Sequence, residues 1–534
     1  MRVAAKSAAL SVCLCALLIL ASCAGGNQPA PPSLPTASCS AGAVSASALG
    51  PAPDQQDPSA ILTQADVKKV VEAAAASVNV GVTVAVTDRQ GDILAVYRKP
   101  GTPATSQGNF GSMVDTNELA VGLARTASFF SNDQAPLSSR TVRYISGVHF
   151  PPGIDNVPSA DLYGIENTNR GCSFSTSYLP GHSLPPSRSI DGSTTGLGII
   201  TGKADLFDSD PTAVNGGGVP LFKNGHLAGG VGVAGGSNDV NEFAAFSGLA
   251  GSGLVPNVAP PGVVIIGGIA LPFVNTKTIP AGVSPGTANG IYLFGPLDSP
   301  GPAPDGDLIA RKAGSSGLTL NDINQILSLA ISTANSERAV IRLPDGSRAR
   351  FVIAIADLNG DLLALYRMPD ATIFSVDVAV AKARNMIYFN SKGVDPQDLP
   401  GVPAGTAVTN RTISFGAQPF FPSGISNPPT PPGPFFNLFL YDTANPCTNG
   451  HQPKNQFQNG IVFFPGSVGL YKNGVLVGGL GVSGDGVDQD DFDTFNAGQC
   501  FLPAESIRAD QIQVIPGHED TRLPFFKFPR NPTF

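Results

Sequence analysis

The chain has 534 residues, a length that suits two or three domains. Hydrophobic residues make up 42% of it and charged residues 13%, which allows a sizeable core and excludes wholesale disorder. A formal charge of −8 excludes a general nucleic-acid binder, while 62 Gly and 48 Pro imply many turns and long loops.

Residues 1–22 are expected to be a signal peptide. Arg2 and Lys6 form a basic start, and the uncharged Ala- and Leu-rich run that follows is shorter than a bilayer span. It ends Leu20-Ala21-Ser22-Cys23, which resembles the bacterial lipobox, so Cys23 is the expected lipidation site. The expected location is the bacterial cell envelope, lipid-anchored rather than membrane-spanning. Ala24, not Asp, follows the Cys, which favours the outer membrane or cell surface over the inner membrane. The Pro-, Ala- and Ser-rich residues 23–58 read as a tether. Beyond Cys23, the cysteines are Cys39, Cys172, Cys447 and Cys500, and an oxidising compartment suggests two disulfides. Spacing does not fix the pairing. Cys447–Cys500 is the favoured pair, Cys39–Cys172 the second, and free buried thiols are the alternative.

From residue 59 the chain is written twice. Leu62-Thr63-Gln64-Ala65-Asp66 recurs as Leu318-Thr319-Leu320-Asn321-Asp322, each opening a helix with a Thr N-cap and an Asp in capping-box spacing. A hairpin follows over 82–100 and again over 351–369, turning at Gln90-Gly91 and Asn359-Gly360. A second helix over 118–130 matches 377–389, aligning Arg125 with Arg384. Long Gly-, Pro- and Asn-rich inserts with short strand-like pieces come next, and they repeat too: 140–154 resembles 411–425. A second hairpin over 217–236 matches 466–485, with Asn224-Gly225 and Asn473-Gly474 as type I′ turn signals. Gly229-Gly230 and Gly478-Gly479 point to a close backbone approach or a bulge. A last helix begins near Asp239 and Asp488, and strand-like tails end at Leu271-Pro272-Phe273 and Leu523-Pro524-Phe525. The expected divisions are repeat 1 at 59–275 with insert 131–216, a linker at 276–316, and repeat 2 at 317–534 with insert 390–465.

This order of elements resembles the GlcG/HbpS family, which is related to the C-terminal part of PduO-type proteins. The shared motifs are L-T-x-x-D, V-x-D-x-x-G-x-L-x-x-x-R, A-R-T-A and K-N-G-x-x-x-G-G-x-G-V-x-G-G, and in outline they occur twice. The resemblance covers the core of both repeats; the long inserts depart from the compact family domain. It implies an α+β fold of two tandem profilin-like domains, antiparallel sheets flanked by helices. It also implies oligomeric relatives, several of which bind haem, so the two repeats are expected to form an intrachain pseudo-dimer.

Haem needs an apolar slot, an axial ligand and a cation for its propionates. His149, between Val148 and Phe150, is the first axial candidate; its counterpart in the second repeat is Phe420. His226, whose counterpart is Val475, is the second, while His182 and His451 lie in loops expected to be solvated. The recurring pairs Arg98/Arg367 and Arg125/Arg384 are candidates for anion contact, with an intradomain ion pair as the competing role. Asp485, Asp488, Asp490, Asp491 and Asp493 do not follow an EF-hand pattern and suit a helix N-terminus. No His set has zinc spacing, and no activated nucleophile can be assembled. The resulting expectation is an envelope lipoprotein that binds haem or a related tetrapyrrole for capture, storage or sensing. The alternatives are a non-catalytic structural or protein-interaction module, and an enzyme acting on a small oxidised metabolite.

Overall fold

The computed structural model describes residues 60–151, 154, 156–170, 172, 199–202, 213–257, 263–266, 269–344, 346–422, 431–512 and 521–533. The signal peptide, Cys23, Cys39, the tether, His182 and His518 lie outside the described residues.

Helix α1 (Gln64–Ala76) starts as its sequence dictates: Thr63 and Asp66 form a reciprocal capping box. Its apolar stripe, Val67, Val70, Val71 and Ala74, is buried. Strands β1 (Thr83–Asp88) and β2 (Ile93–Arg98) pair antiparallel across the Gly91 turn, where φ is +93°. A short ribbon, β3 (Thr105–Gln107) with β4 (Met113–Asp115), leads into α2 (Thr116–Phe130), capped by Asp115. The first insert opens with α3 (Ser139–Tyr144), capped by Ser138. Strands β5 (Gly218–Lys223) and β6 (His226–Ala234) turn at Asn224 and Gly225, both at positive φ as a type I′ turn demands. Helix α4 (Asn238–Ser252) follows, and then the ribbon of β7 (Val263–Ile266) and β8 (Ile269–Pro272).

The segment read as a linker supplies β9 (Ile291–Phe294), which pairs with β2, and β10 (Gly306–Asp307), which pairs with β12 (Leu362–Arg367). The second repeat then runs α5 (Leu320–Ser336), β11 (Val352–Asp357), β12, α6 (Phe374–Phe389), α7 (Asn410–Gly416) and α8 (Phe436–Ala444). Strands β13 (Ser467–Lys472) and β14 (Val475–Ser483) and helix α9 (Val487–Gly498) complete it. The two main sheets have matching orders, β5-β6-β1-β2-β9 and β13-β14-β11-β12-β10. The fold is therefore α+β, two tandem profilin-like domains built on antiparallel sheets.

Each sheet carries helices on both faces. Helices α1 and α4 share an apolar core with one face of the first sheet, and α2 packs on the other. The glycine pairs explain the second contact. A Cβ on Gly230 would stand 2.2 Å from the carbonyl oxygen of Ala124, and one on Gly479 would stand 2.0 Å from that of Ala383. Helices α2 and α6 thus lie backbone-to-backbone on β6 and β14.

The described parts of the inserts begin as helices, not strands. Ser138 and Thr409 accept hydrogen bonds from the amides of Thr141 and Thr412, which nucleates a turn that β-rich composition alone does not reveal. These inserts bring the two repeats together. Phe130 at the end of α2 stacks on Phe374 at the start of α6, centroids 4.1 Å apart, and the Ile373 amide donates to the Phe129 carbonyl. Every residue of α6 is buried, as expected of a helix covered on all sides. His149 and its counterpart Phe420 face each other, rings 6.3 Å apart and nearly parallel.

The disulfide joins Cys172 to Cys447. This corrects the favoured pairing of Cys447 with Cys500 and excludes Cys39–Cys172; Cys500 is disulfide-bonded elsewhere. The reason is positional. Cys172 follows Asn167-Thr168 as Cys447 follows Asp442-Thr443, and these two stretches face one another, Asn167 Nδ2 donating to Thr443 Oγ1 at 3.2 Å.

Candidate functional site: a cleft between the repeats

A narrow apolar cleft opens where the repeats meet. The first repeat lines it with Phe130, Leu137, Ile145, Phe150 and Leu162, and the second with Phe374, Val340, Ile341 and Val487. Phe130 and Phe374 are fixed by their mutual stacking. Val340 and Ile341 belong to a strap, residues 337–350, that has no counterpart in the first repeat. Arg342 ties this strap down. Its guanidinium pairs with Asp485 and, at 2.6 Å, with Asp370. The Val340 amide donates to the Asp485 carbonyl at 3.0 Å.

Asp370 also receives Arg89 of the first repeat at 2.6 Å. Burial works against its ionisation, but Arg342 and Arg89 together bring its pKa down to about 2. This chain of charges crosses from one repeat to the other.

Asp161 is the charged residue of the lining and is exposed. Arg411, Lys527 and Asp488 act on it electrostatically. Arg411 is engaged with Asp491 and Asp488, whereas the Lys527 ammonium, two-thirds exposed, rests on Asp488 at 2.8 Å.

The sequence-derived candidates are placed as follows. His149 is half-buried, next to Phe150 of the lining, and its Nδ1 is buried with no hydrogen-bond partner. His226 lies outside the cleft lining; its Nδ1 meets Asp133 Oδ2 at 2.6 Å. His451 is not a solvated loop residue. Its Nδ1 meets the buried Asp398 at 2.6 Å and its ring packs on Tyr441.

The four arginines do not line the cleft. Arg125 donates to the Gly91 carbonyl and Arg384 to the Gly360 carbonyl, so each pins the turn of its own first hairpin. Burial lowers their pKa values, to about 10 for Arg125 and about 9 for Arg384, which leaves both charged at neutral pH. Arg367 donates to the carbonyls of Ala371 and Pro304, and Arg98 to Asn117 and the Thr102 carbonyl. Their recurrence reflects turn and loop geometry common to both repeats. The strap residues and Lys527 were not singled out from sequence, because neither belongs to the repeated pattern. Among the described residues, no group of three or more His, Cys, Asp or Glu is arranged to hold a metal ion.

Comparison with known proteins agrees with the repeated architecture. A family model described as "Haem degrading protein HbpS-like" matches residues 62–250 and again 318–492. The chain belongs to this HbpS-like family and carries two tandem copies of its domain. Two corrinoid adenosyltransferases named PduO are similar in sequence. That of Salmonella typhimurium is 24% identical over 173 residues, covering 32% of this chain and 35% of the relative. That of Citrobacter freundii is 26% identical over 174 residues, covering 33% and 38%. The chain thus spans little more than a third of the length of these curated relatives. Among solved structures, a PduOC:heme complex matches with 23% identity and a TM-score of 0.21, over 34% of this chain and 94% of that one. Klebsiella pneumoniae protein ORFY matches with 19% identity and a TM-score of 0.23, over 38% and 98%.

Proposed function

We propose that the protein binds haem or a related tetrapyrrole in the cleft between its repeats, as a lipoprotein anchored to the cell envelope through Cys23. The observation that carries the binding reading is an apolar, aromatic-walled cleft between the repeats of a chain of the HbpS-like family. The residues fit the group in three respects. The half-buried Phe150 offers apolar ring surface, backed by the buried Phe130–Phe374 stack. His149, beside this wall, has a buried ring nitrogen without a partner, the kind of atom that ligates iron. Lys527, exposed and paired with Asp488, is a cation that a propionate could draw from that pair. Bound haem would supply redox-active iron; the chain's own part is to enclose the ring, exclude water and hold the propionates at the rim. The lipobox-like Leu20-Ala21-Ser22-Cys23 supports the anchored location, and a Cys23→Ala chain released from the membrane fraction would agree with it.

Haemin titrated into the protein should give a shifted Soret band that saturates at one per chain. Val340→Trp, which fills the cleft, should weaken binding about 10-fold or more through lost space. His149→Ala should alter the band position more than the affinity. A broad change that never saturates, unaffected by Val340→Trp, would mean adsorption to the surface and favour an interaction module.

A further inference from the structure

The strap that walls the cleft sits over an unusual set of carboxyl groups. Glu337, at the end of α5, is fully buried, as are Asp485 and Asp493, and Asp490 is 2% exposed. The sequence placed these acids at a helix N-terminus; the structure closes α5, α6 and the strap over them. Asp490 has Lys382 of α6 at 2.8 Å, and Asp485 has Arg342 of the strap and the Arg350 amide at 2.8 Å. Asp491 has Arg411. Glu337 comes from a different element and faces the others, with both of its carboxylate oxygens buried and unpartnered; Asp493 is buried too, with the Ala334 backbone as its one weak partner.

The groups acting on Glu337 are Asp493, Asp490 and Asp485, all of like charge. Those acting on Asp493 are Asp490 and, least, the Ala334 backbone. Lys382 and Arg342 are engaged with Asp490 and Asp485, and none of the strap's other cations, Arg338, Arg348 and Arg350, is among the groups acting on Glu337. A buried carboxylate without a cation or donor is unstable as an anion and takes a proton instead. A bound cation is the other remedy, but the carboxyl groups are not grouped as metal ligands.

We propose that Glu337 and Asp493 are a buried proton-holding pair that keeps the strap seated, and that ionising them at alkaline pH loosens one wall of the cleft. The strap leaves Glu337 directly for Val340 and Ile341, while Asp485 lies between Gly484 and Gly486, which also line the cleft. Burial first, and then the neighbouring carboxylates, push Glu337 and Asp493 well above the ordinary carboxylate range. The same burial, despite Lys382, holds Asp490 at about 7. Such groups bind more protons folded than unfolded. Their contribution is complete below about pH 4 and declines as pH rises through their raised folded values, about 7 in the case of Asp490.

Hydrogen exchange of the full chain, read by mass spectrometry, tests this without ligand. Protection of the amides in 337–344 and 485–493, corrected for intrinsic rates, should fall about 10-fold or more from pH 6 to pH 9 relative to α1. In a Glu337→Gln, Asp493→Asn chain the difference should vanish. Equal protection of the wild-type strap at both pH values would overturn the proposal. So would a double variant that is already less protected at pH 6, which would mean the charges are needed. Calcium restoring protection at pH 9, reversed by a chelator, would replace the proton pair with a cation site. Weaker haemin binding at alkaline pH follows only if the cleft binds haem as proposed above; because exchange is read ligand-free, either idea can fail alone.

Discussion

A chain carrying Cys172→Ser and Cys447→Ser is expected to lose about 3–5 kcal/mol of stability, read as a lower denaturant midpoint. The bond closes a loop of 275 residues, so its removal frees a large part of the unfolded ensemble. It also fastens a junction of the inserts that non-covalent contacts, such as Tyr163 stacked on Phe439 and Asn169 bonded to Asp377, already bring together. Asn167 meets Thr443, and Arg170 meets Asp442 at 2.8 Å, but neither matches a covalent link. Separate unfolding of the two repeats should become visible in the variant, since their shared core would no longer be tied at this end. An unchanged midpoint would show that Phe130, Phe374 and their neighbours hold the repeats together unaided.

The second large effect is expected at Arg342. Arg342→Met should cost about 3–5 kcal/mol, because it leaves the carboxylate of Asp485, wholly buried, without its cation. Asp370 would lose one of its two cations and keep Arg89. Adding Asp485→Asn should recover part of the loss by removing the stranded charge. If it recovers nothing, the cost lies in the Arg342 contacts with Gln134 and the Asp370 carbonyl rather than in uncompensated charge. A urea series on the single and double variants separates these cases.

Much of this architecture is legible in the sequence because it rests on local rules written twice. Thr63 with Asp66 and Thr319 with Asp322 mark helix starts, and both cap as read. Asn-Gly at 224–225 and 473–474 marks a turn that needs positive φ at both positions. The glycine pairs at 229–230 and 478–479 are explained by the helix lying on them. What escaped depends on pairing across long separations. Strands β9 and β10 are short, and nothing in Ile291–Phe294 or Gly306–Asp307 names the strand it will join. The disulfide follows from which inserts face each other, a property of the assembled repeats. The recurring arginines invited a ligand reading, since a strand or helix arginine that serves a backbone carbonyl looks the same in one dimension as one that serves an anion. The cleft itself is walled in part by the strap, where the two copies differ, so repetition could not point to it.

The pairing of His149 with Phe420 bears on how the protein can evolve. In a dimer of identical subunits, a residue beside the symmetry axis meets its own image, and any change appears on both sides at once. Here the ring facing His149 is Phe420, encoded separately. Fusion of the two copies has released each half from copying the other, so one can acquire an imidazole while its partner remains a plain aromatic wall. A chain that carries both copies can thereby vary the two sides of this contact independently.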